Sequence, residues 1–580
     1  MNLFADIQAL VLDCLQDMVT TGELPAGLAL DNVTVAPPRD AAYGDMTTNA
    51  AMVLAKPAGM KPRDIAQTLA AHLIKDARIT HAAVAGPGFV NLRLAPSVWQ
   101  GVIAAALSKG IDFGRTTLGQ GKRVHVAYVS ANATGLLHVG DLRGAVFGCA
   151  LASLLEFAGH DVTREYFING SRGQGDTLAR SVYLRYLEAQ GQEVAFPEGT
   201  YSGDYLIAAG EALKEKVGDA YLGKGEQVWL RDVRAFAIDA MRDLIRADLK
   251  SLGVEMDVFC SEKSFGGSGQ IEAAINDLND KGLIYDGTLA PPKANEADDG
   301  EPRVQRLFRA TAHGDDEDRL IKKSDGSWSN FAANIAYHHD KLQRGFDLLI
   351  DVMGADHVGH VKRRKAAVSA LSEGQVPLDV IPTQLVKLFK DGQEFKMSKR
   401  AGTFASPRDV VDQVGRDVTR FVMLTRKHDT TLDFDVDKVM EQSRENPVFY
   451  VQYAHARGVS VLRKAGEAGI PVDDETLQSA DLSQLDHEAE LGLAAKLAEW
   501  PRLVETAARR NEPHRVAIYL NELAGTFHAL WNKGHDVPSL RFVQDDPKVT
   551  TAKIALARAT SVVIAAGLGI LGVTPAQEMR

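Results

Sequence analysis

The chain has 580 residues, 45% of them hydrophobic and 24% charged, which predicts about three or four domains of an ordinary globular protein. The net charge of −11 argues against a protein that coats nucleic acid generally, although a local basic patch would still allow RNA binding. The cysteines Cys14, Cys149 and Cys260 lie far apart without C-x-x-C spacing, so the sequence implies neither a disulfide framework nor a zinc site.

The two ends of the chain bear on its location. The first ten residues carry an acid and no basic region before their apolar residues, so they do not resemble a signal peptide. The apolar run SVVIAAGLGILGV near the C-terminus has 13 residues, too few to span a bilayer. We therefore predict a cytoplasmic protein without membrane contact, and the absence of disulfides fits that compartment.

Residues 1–115 form a first unit, for which we predict a small α+β domain. An amphipathic helix opens it over 3–19, and turn-rich segments at 43–45 and 86–91 bracket a helical middle. No motif in this unit suggests catalysis, and a plain packing domain is the alternative to a binding domain.

Residues 116–385 alternate strand-like and helix-like runs, which predicts a parallel sheet flanked by helices. The first helix of this unit has apolar residues at helical spacing from Leu142 to Ala158. The polar stretch 190–235 predicts an irregular insertion. The predicted strands of the sheet cover 124–129, 161–168, 254–260 and 346–352.

The entrance of that first helix carries the sequence His138-Val139-Gly140. The first N–H groups of a helix have no internal partner and lie at the positive end of the helix dipole, so they bind anions, phosphate above all. Gly140 lets a ligand approach the backbone, and His138 can donate a hydrogen bond to a phosphate oxygen. A turn with a locally satisfied histidine is the alternative for this motif alone.

A second motif, FKMSKR at 395–400, lies about 260 residues later in a loop bounded by glycines. Its lysines, Lys396 and Lys399, form either a solvated hairpin tip or a cationic loop that meets the charge on a transferring phosphoryl group. Together with H-x-G at 138–140, this motif resembles the paired signatures of class I aminoacyl-tRNA synthetases.

Polar residues also follow the predicted strands. Ligands bind outside the carboxyl ends of strands in open α/β sheets, so these residues predict one crevice, although each could instead satisfy local backbone groups. The residues are Ser130, Asn132, Glu262, Asp356 and His357.

From 441 to 580 the pattern is almost wholly helical, which predicts a helix bundle. Its aromatic residues Phe449, Tyr450 and Tyr453 could stack on unpaired bases, although core packing is the alternative for most of them. The basic stretch 362–365 is a candidate RNA patch or a solvated helix face.

Over essentially its full length the chain resembles the bacterial arginyl-tRNA synthetases. The resemblance is carried by the motifs YGDMTTNAAMVLAKPAG, GPGFVNLRL, VSANATGLLHVGDLRGAV, VTREYFIN, LARSVYLRY, VFCSEKSF, KKSDGSW, IAYHHDK, GADH, KMSKRAGTF and NPVFYVQYAHAR. It implies an N-terminal domain over 1–115 that contacts the tRNA elbow and a Rossmann-like α/β catalytic domain over 116–385. It further implies a connecting region with the KMSK loop over 386–440 and a helical anticodon-binding domain over 441–580.

The resemblance implies a ligase of protein biosynthesis that attaches arginine to tRNA through an aminoacyl-adenylate. ATP and Mg²⁺ are the expected cofactors, and tRNA is the expected partner. In this family the first step usually needs bound tRNA, and we expect a monomer. The catalytic residues implied are His138, Gly140, Asp141, Lys396 and Lys399. The same residues together with Thr134, Met397 and Ser398 would bind ATP. The amino acid would contact Ser130, Asn132, Glu262, Asn330, Asn334, Asp356 and His357. No protein ligand set for a metal is predicted.

Within this resemblance His138 and Gly140 would contact the triphosphate, and the two lysines of the KMSK loop would stabilise the departing pyrophosphate. Asn132 would lie near the α-amino end of the amino acid. Glu262 would pair with the guanidinium, for which a carboxylate is the natural bidentate partner.

Several residues depart from the family pattern around the crevice. Asp141 replaces the second histidine of H-x-G-H, and a carboxylate about 4 Å from a phosphate charge costs about 1 to 4 kcal/mol, unless Mg²⁺ bridges the two. Asn330 and Asn334 replace a tyrosine and the aspartate that binds the guanidinium, and an amide forms no charge-assisted fork. The remaining departures are Ala133, Leu136, 169–172 and 358–360.

These departures leave three interpretations. The chain is an arginyl enzyme that tolerates the changes, with Glu262 holding the guanidinium. It is a paralogue with a rebuilt pocket that activates another amino acid. It is a catalytically weak tRNA-binding protein, an interpretation that the intact KMSK motif argues against, because a pure binder does not need it.

Overall fold

The structure is a computed structural model of the chain. The residues that it describes are 2–132, 135, 137–168, 172–265, 268–288, 304–323, 325–394, 406–441, 443 and 446–579. Four units follow one another along the chain.

The first unit is an antiparallel sheet covered by helices. Its elements are α1 (Leu3–Thr20), β1 (Val35–Ala36), β2 (Met46–Thr48), α2 (Ala50–Ala58), α3 (Pro62–Leu73), β3 (Ile79–Ala85), β4 (Phe89–Leu94) and α4 (Pro96–Lys109). The four strands lie in the order β1-β2-β4-β3, and every neighbouring pair is antiparallel. The α+β character predicted for this unit is confirmed.

The second unit contains the parallel sheet and its flanking helices. Its strands are β5 (Arg123–Ala127), β6 (Asp161–Ile168), β7 (Val258–Ser261), β8 (Ile284–Gly287), β9 (Gln305–Phe308), β10 (Arg319–Lys322), β11 (Leu348–Gly354) and β12 (Leu378–Thr383). Its helices are α5 (Val139–Phe157), α6 (Arg172–Ala189), α7 (Ile207–Val217), α8 (Glu226–Ser251), α9 (Glu262–Phe265), α10 (Gln270–Asp280), α11 (Asn330–Gln343) and α12 (Val361–Leu371).

Five of these strands form one parallel sheet in the order β12-β11-β5-β6-β7. β5 lies in the middle, and its residues from Val124 to Ala127 are buried, as the continuous apolar run predicts. The strands β10, β9 and β8 form a separate small antiparallel sheet that the sequence pattern did not indicate.

Several predicted strand boundaries are wrong by a few residues, since β5 ends at Ala127 rather than at 129 and β11 begins at Leu348 rather than at 346. β7 begins at Val258 rather than at 254. Just before it, the Asp257 backbone N–H donates to the Arg164 carbonyl at 3.0 Å, and the Asp257 carboxylate accepts the Arg164 backbone N–H at 2.7 Å. Regular pairing begins at the next residue, where Val258 lies opposite Glu165 of β6. β11 extends to Gly354, two residues beyond the predicted end.

The stretch 190–235, predicted to be irregular, is in large part helical. It contains α7 and the first part of α8, and both pack against α6 around their own apolar core. The rings of Tyr183 and Trp229 stack at 3.9 Å in this core. The prediction is wrong because the many charged residues of α8 obscure its narrow buried stripe, in which Val233, Ala237 and Met241 recur at helical spacing.

The third unit connects the sheet to the C-terminal helices. Its elements are β13 (Val386–Lys390), β14 (Gln393–Glu394), α13 (Pro407–Val414), α14 (Arg416–Met423), β15 (Leu432–Asp435) and α15 (Val436–Met440). β13 pairs in parallel with β15 and antiparallel with β14.

The fourth unit is the predicted helix bundle. Its helices are α16 (Pro447–Glu467), α17 (Asp474–Gln478), α18 (Glu488–Arg509), α19 (His514–Asp536) and α20 (Pro547–Leu571). By length and composition α20 could cross a membrane, but 83% of its most apolar window is buried inside the protein. It packs against α16, α19 and α4, which makes it the core helix of the bundle.

Candidate active site

A cleft of about 1610 Å³ opens at the carboxyl edge of the parallel sheet. The described residues that the sequence predicted for the site all line it, namely Ser130, Asn132, His138, Gly140, Asp141, Glu262, Asn330, Asn334, Asp356 and His357. The predicted residues Thr134, Lys396, Met397, Ser398 and Lys399 lie outside the described residues, as do the departures at Ala133, Leu136 and 169–171. The roles assigned to these residues remain predictions.

His138 and Asp141 form a capping box at the start of α5. The His138 backbone N–H donates to Asp141 Oδ2 at 3.0 Å, and the Asp141 backbone N–H donates to His138 Nδ1 at 3.3 Å. In this arrangement Nδ1 is an acceptor, so the hydrogen of the neutral imidazole lies on Nε2, where it can be donated into the cleft. Asp141 therefore stabilises the helix end by a local contact that its sequence position did not suggest.

The presence of glycine at position 140 has a steric explanation. A Cβ at Gly140 would lie 2.6 Å from His138 Cε1 and 2.8 Å from His138 Nδ1, so only glycine lets the imidazole fold over the first turn. The loop before the motif is strained, because Val129 and Ser130 both have left-handed backbone angles, with φ of 66° and 46°. Such strain at a β-branched residue is typical of functional sites.

The loop after β5 is tied to its neighbours. Ser130 Oγ accepts the Phe167 backbone N–H at 3.3 Å, and the Tyr166 hydroxyl donates to the Ala131 carbonyl at 2.9 Å. Asn132 Nδ2 donates to Gln174 Oε1 at 3.1 Å, which links this loop to α6. These local bonds hold the loop in place, whichever ligand atoms it meets.

Helix α11 presents both asparagines to the cleft. Asn330 is exposed at the first turn, whereas the Oδ1 atom of Asn334 is buried and has no hydrogen-bond partner. A buried acceptor without a hydrogen bond destabilises the folded protein. A ligand that donates an N–H group to it would remove that cost. Tyr337, one turn later, stacks on Phe167 at 4.0 Å, and burial raises the pKa of its hydroxyl.

The turn after β11 is open to solvent. Asp356 and His357 are both exposed, and their side chains approach each other to 3.5 Å. Asp356 Oδ1 occupies the place that a Cβ on Gly354 would need, since that Cβ would lie 2.4 Å away. A side chain larger than hydrogen at position 354 would therefore displace the Asp356 carboxylate.

A set of charged and imidazole side chains, most of them buried, lies at the floor of the cleft, and the sequence did not reveal it. We call it the ionic network, and its members are His125, Glu165, His338, Lys341, Arg344, Asp351 and Arg364. The members come from β5, β6, β11, α11, α12 and the residue that follows α11, so that they join the sheet to these helices. Only their positions in predicted buried segments could have signalled them.

The network has two carboxylate centres. Asp351 accepts from Lys341 Nζ at 2.9 Å and lies 3.2 Å from Arg364 Nη1. Glu165 accepts from Arg344 Nη1 at 2.7 Å and lies 3.2 Å from His125 Nε2.

The pKa values in the network follow from burial and from these partners. Burial raises the pKa of Asp351 and of Glu165, but the neighbouring cations and imidazoles outweigh it. They hold the pKa of Asp351 well below its ordinary value and lower the pKa of Glu165 to about 2. Burial, assisted by Lys341, lowers the pKa of His125 to about 4.

We expect stability to fall in mild acid because of His125. The unfolded chain takes up the proton near pH 6.5 and the folded chain only near pH 4. The contribution is therefore complete above pH 6.5, and about 3 kcal/mol is lost as the pH falls to about 4. Urea unfolding of wild type and His125→Gln between pH 7.5 and 4.5 measures this, and the variant should have the shallower slope.

The control for that experiment is His81→Gln, which changes an exposed histidine. Its slope should match that of wild type. Equal slopes for wild type and His125→Gln would contradict the assignment of the acid sensitivity to His125.

Helices of the insertion form the far wall of the cleft, which the sequence also did not reveal. Arg234 pairs with Asp176 at 2.6 Å, whereas Arg231 is exposed with no ion pair to any described residue. Two residues of the basic stretch at 362–365 are held by acids, since Lys362 pairs with Asp316 at 2.7 Å and Arg364 belongs to the ionic network. Arg363 and Arg364 both line the cleft.

Three family models match the chain in succession. Residues 5–94 match the arginyl tRNA synthetase N terminal domain, residues 102–442 match the catalytic domain of class I (R) tRNA synthetases, and residues 451–579 match the DALR anticodon binding domain. The middle match alone covers more than half of the 580 residues.

Known proteins resemble the chain along its whole length. It is 72% identical over 580 residues to the arginine–tRNA ligase of Roseobacter denitrificans and 67% identical over 581 residues to that of Ruegeria pomeroyi, with 100% of each chain covered. The Thermus thermophilus arginyl-tRNA synthetase matches all of the chain over all of its own, with a TM-score of 0.74 at 20% identity. The Plasmodium falciparum arginyl-tRNA synthetase, at 13% identity, has a TM-score of 0.72 over 100% of this chain and 99% of its own. The similarity to these two structures shows the fold alone.

Proposed function

The chain belongs to the arginyl-tRNA synthetase family and attaches arginine to tRNA, and we propose that the cleft at the carboxyl edge of its parallel sheet is where ATP activates the amino acid. In the first step the arginine carboxylate attacks the α-phosphorus of ATP and pyrophosphate leaves. In the second step a terminal hydroxyl of the tRNA attacks the carbonyl carbon of the adenylate, AMP leaves as the ester forms, and the hydroxyl proton is released. The product is an aminoacyl-tRNA ester.

The observation that carries the proposal is the geometry at the start of α5. The capping box uses His138 Nδ1 and leaves Nε2–H to donate, with the imidazole folded over Gly140, and both residues line the cleft. Helix N–H groups and a neutral imidazole donor suit a triphosphate. The Lys396 and Lys399 side chains are proposed to stabilise the departing pyrophosphate from their loop.

We propose that Mg²⁺ enters with ATP as its complex. Within the part of the chain that the structure describes, no group of three or more His, Cys, Asp or Glu residues could hold a metal ion. Asp141 is the described carboxylate beside the helix entrance, and one of its oxygens is occupied by the His138 backbone N–H. The other oxygen can accept a water molecule of the hydrated cation.

For the amino acid we propose that the Glu262 carboxylate pairs with the guanidinium, and that Asn334 Oδ1 accepts one of its N–H groups. Asn132, which lies on the loop after β5, is proposed to face the α-amino end. The comparisons support arginine and give no support to the alternatives of another amino acid or a binder without catalysis.

For the tRNA we propose that the bundle over 441–580 binds the anticodon loop. Supporting this, Tyr453 is 38% exposed, and the Arg457 guanidinium lies over the rings of Tyr453 and Trp531 at 4.3 and 4.6 Å. Such a surface can stack on unpaired bases. We further propose domain limits of 1–115, 116–385, 386–440 and 441–580, a monomeric state and action in the cytoplasm.

The test of the ATP site is His138→Asn. Asparagine is a good N-cap and keeps the cap bond, but its amide does not reach as far as Nε2 of histidine. We expect kcat/KM for ATP in tRNA charging to fall about a hundredfold, while the thermal midpoint stays near that of wild type. Charging with labelled arginine at varied ATP concentration measures this.

A matched control exists in the bundle. His487 is also an N-cap histidine, and its Nδ1 accepts the Ala489 backbone N–H at 3.0 Å at the start of α18. His487→Asn should leave the kinetic constants unchanged. Wild-type kinetics for His138→Asn would contradict the proposed ATP site.

A further inference from the structure

Arg143 lies in the first helical turns of α5 and is buried, with 1% of its surface exposed. Its Nη1 donates to the carbonyls of Gln384 at 3.1 Å and Thr430 at 2.6 Å, and its Nη2 donates to the carbonyl of Lys427 at 2.9 Å. It forms no ion pair with a carboxylate among the described residues. Burial lowers the pKa of Arg143 to about 10, so the guanidinium stays charged at neutral pH.

These three carbonyls belong to the third unit. Gln384 lies between β12 and β13, and Lys427 and Thr430 belong to the loop that leads into β15. Since β13 and β15 pair in parallel, the guanidinium holds both strands at their amino ends. β13 then continues through β14 toward the segment that contains Lys396 and Lys399.

A second contact holds the same face of α5 one turn later. The Phe147 ring meets the His428 ring edge-on at 5.5 Å. His428 Nδ1–H donates to the Pro382 carbonyl at 2.7 Å, and the Gln384 backbone N–H donates to the His428 carbonyl at 2.8 Å. Helix α5 and the loop at 427–430 are therefore joined by a ring contact as well as by the guanidinium.

Stability alone does not account for an arginine here. A buried charge without a carboxylate partner pays a desolvation penalty that an apolar side chain of similar volume avoids. Arginine instead contributes a fixed arrangement of donors. Its planar guanidinium holds the three carbonyl acceptors in one position relative to the first turns of α5. Arg143 comes three residues after Gly140 in that turn.

We propose that Arg143 is a positioning residue for the reaction of ATP. It fixes the phosphate-binding turn of α5 relative to β13 and β15, and so it sets the distance between the His138 end of the cleft and the chain that leads to the two lysines. This inference rests on the proposed function, in which both ends meet the same triphosphate. A small displacement between groups that act on one transition state lowers kcat strongly.

The test compares Arg143→Lys with a matched variant, Arg420→Lys. Arg420 is also fully buried and donates to backbone carbonyls, those of Leu571 at 2.9 Å and Leu252 at 2.8 Å, but it lies against Cys149 in a later turn of α5. Both substitutions keep the charge and lose the fork. Both should lower the thermal midpoint.

The kinetic constants of the two variants should differ. We expect Arg143→Lys to lower kcat of tRNA charging about tenfold to a hundredfold, with KM for arginine and tRNA nearly unchanged. Arg420→Lys should retain the wild-type kcat at a temperature where both are folded. Equal kcat values for the two variants, or an Arg143→Lys effect confined to KM for arginine or tRNA, would overturn the inference.

The His138→Asn variant separates the two proposals. If it loses activity with ATP while Arg143→Lys matches Arg420→Lys, the positioning role fails and the ATP site stands. If His138→Asn keeps the wild-type kinetics, the ATP site itself fails.

Discussion

Replacing Asp351 by alanine is expected to lower the free energy of unfolding of the catalytic unit by about 3 to 5 kcal/mol, because it leaves buried cations without their carboxylate. Lys341 is completely buried, and its ammonium bonds to Asp351 Oδ1 at 2.9 Å. Arg364 approaches the same carboxylate at 3.2 Å. Removing one partner of a buried pair costs far more than the pair contributes to stability over an apolar substitute.

Urea unfolding followed by circular dichroism measures this effect. The control is Asp277→Ala, which removes an exposed partner of Lys281 from a contact of 3.2 Å and should cost about 1 kcal/mol or less. The double variant Asp351→Leu with Lys341→Met should recover part of the loss, since both charges leave together. A loss below about 1 kcal/mol for Asp351→Ala would mean that the ionic network does not hold the sheet and α11 together.

Replacing Glu262 by glutamine is expected to raise KM for arginine about 30-fold to several-thousandfold. The size follows from the loss of about 2 to 5 kcal/mol when one partner of a buried hydrogen-bonded charge pair is truncated. Glutamine keeps the shape of the side chain and removes the charge, so that only one oxygen remains to accept from the guanidinium. KM for ATP should change little, because Glu262 lies after β7, away from the entrance of α5 in the sheet order.

The measurement is tRNA charging at varied arginine concentration. Glu255→Gln is the control, because Glu255 is exposed seven residues earlier, before β7 begins, and does not line the cleft. It should behave as wild type. If KM for arginine is unchanged in Glu262→Gln, other groups must recognise the guanidinium. Asn334 would be the first of these to test.

The sequence predicted the parts of this protein whose pattern is local. A continuous apolar run predicted β5, and apolar residues at helical spacing predicted α5. The polar residues that follow the predicted strands line the cleft, as expected. It also marked Asp141 as unusual, but it could not indicate that the carboxylate bonds to the His138 backbone N–H, because that bond depends on the side-chain conformation.

The sequence could not indicate which side chains interact across long stretches of the chain. Lys341 and Asp351 lie in segments that read as buried, and nothing in either segment indicates which charges neutralise each other. The same holds for Arg143, whose acceptors are backbone carbonyls about 240 to 290 residues away and leave no trace in residue type. The insertion was mispredicted for another reason, since charged residues diluted the apolar stripe of α8.

The placement of α20 has a consequence for synthesis. It is the last helix of the chain, and α16, α19 and α4 all pack on it. On the ribosome the N-terminal unit and the parallel sheet emerge first and can fold as units, whereas the bundle lacks its central helix until α20 has been synthesised. A transcript cut within the codons of α20 would thus yield a chain whose bundle helices expose apolar faces that favour aggregation.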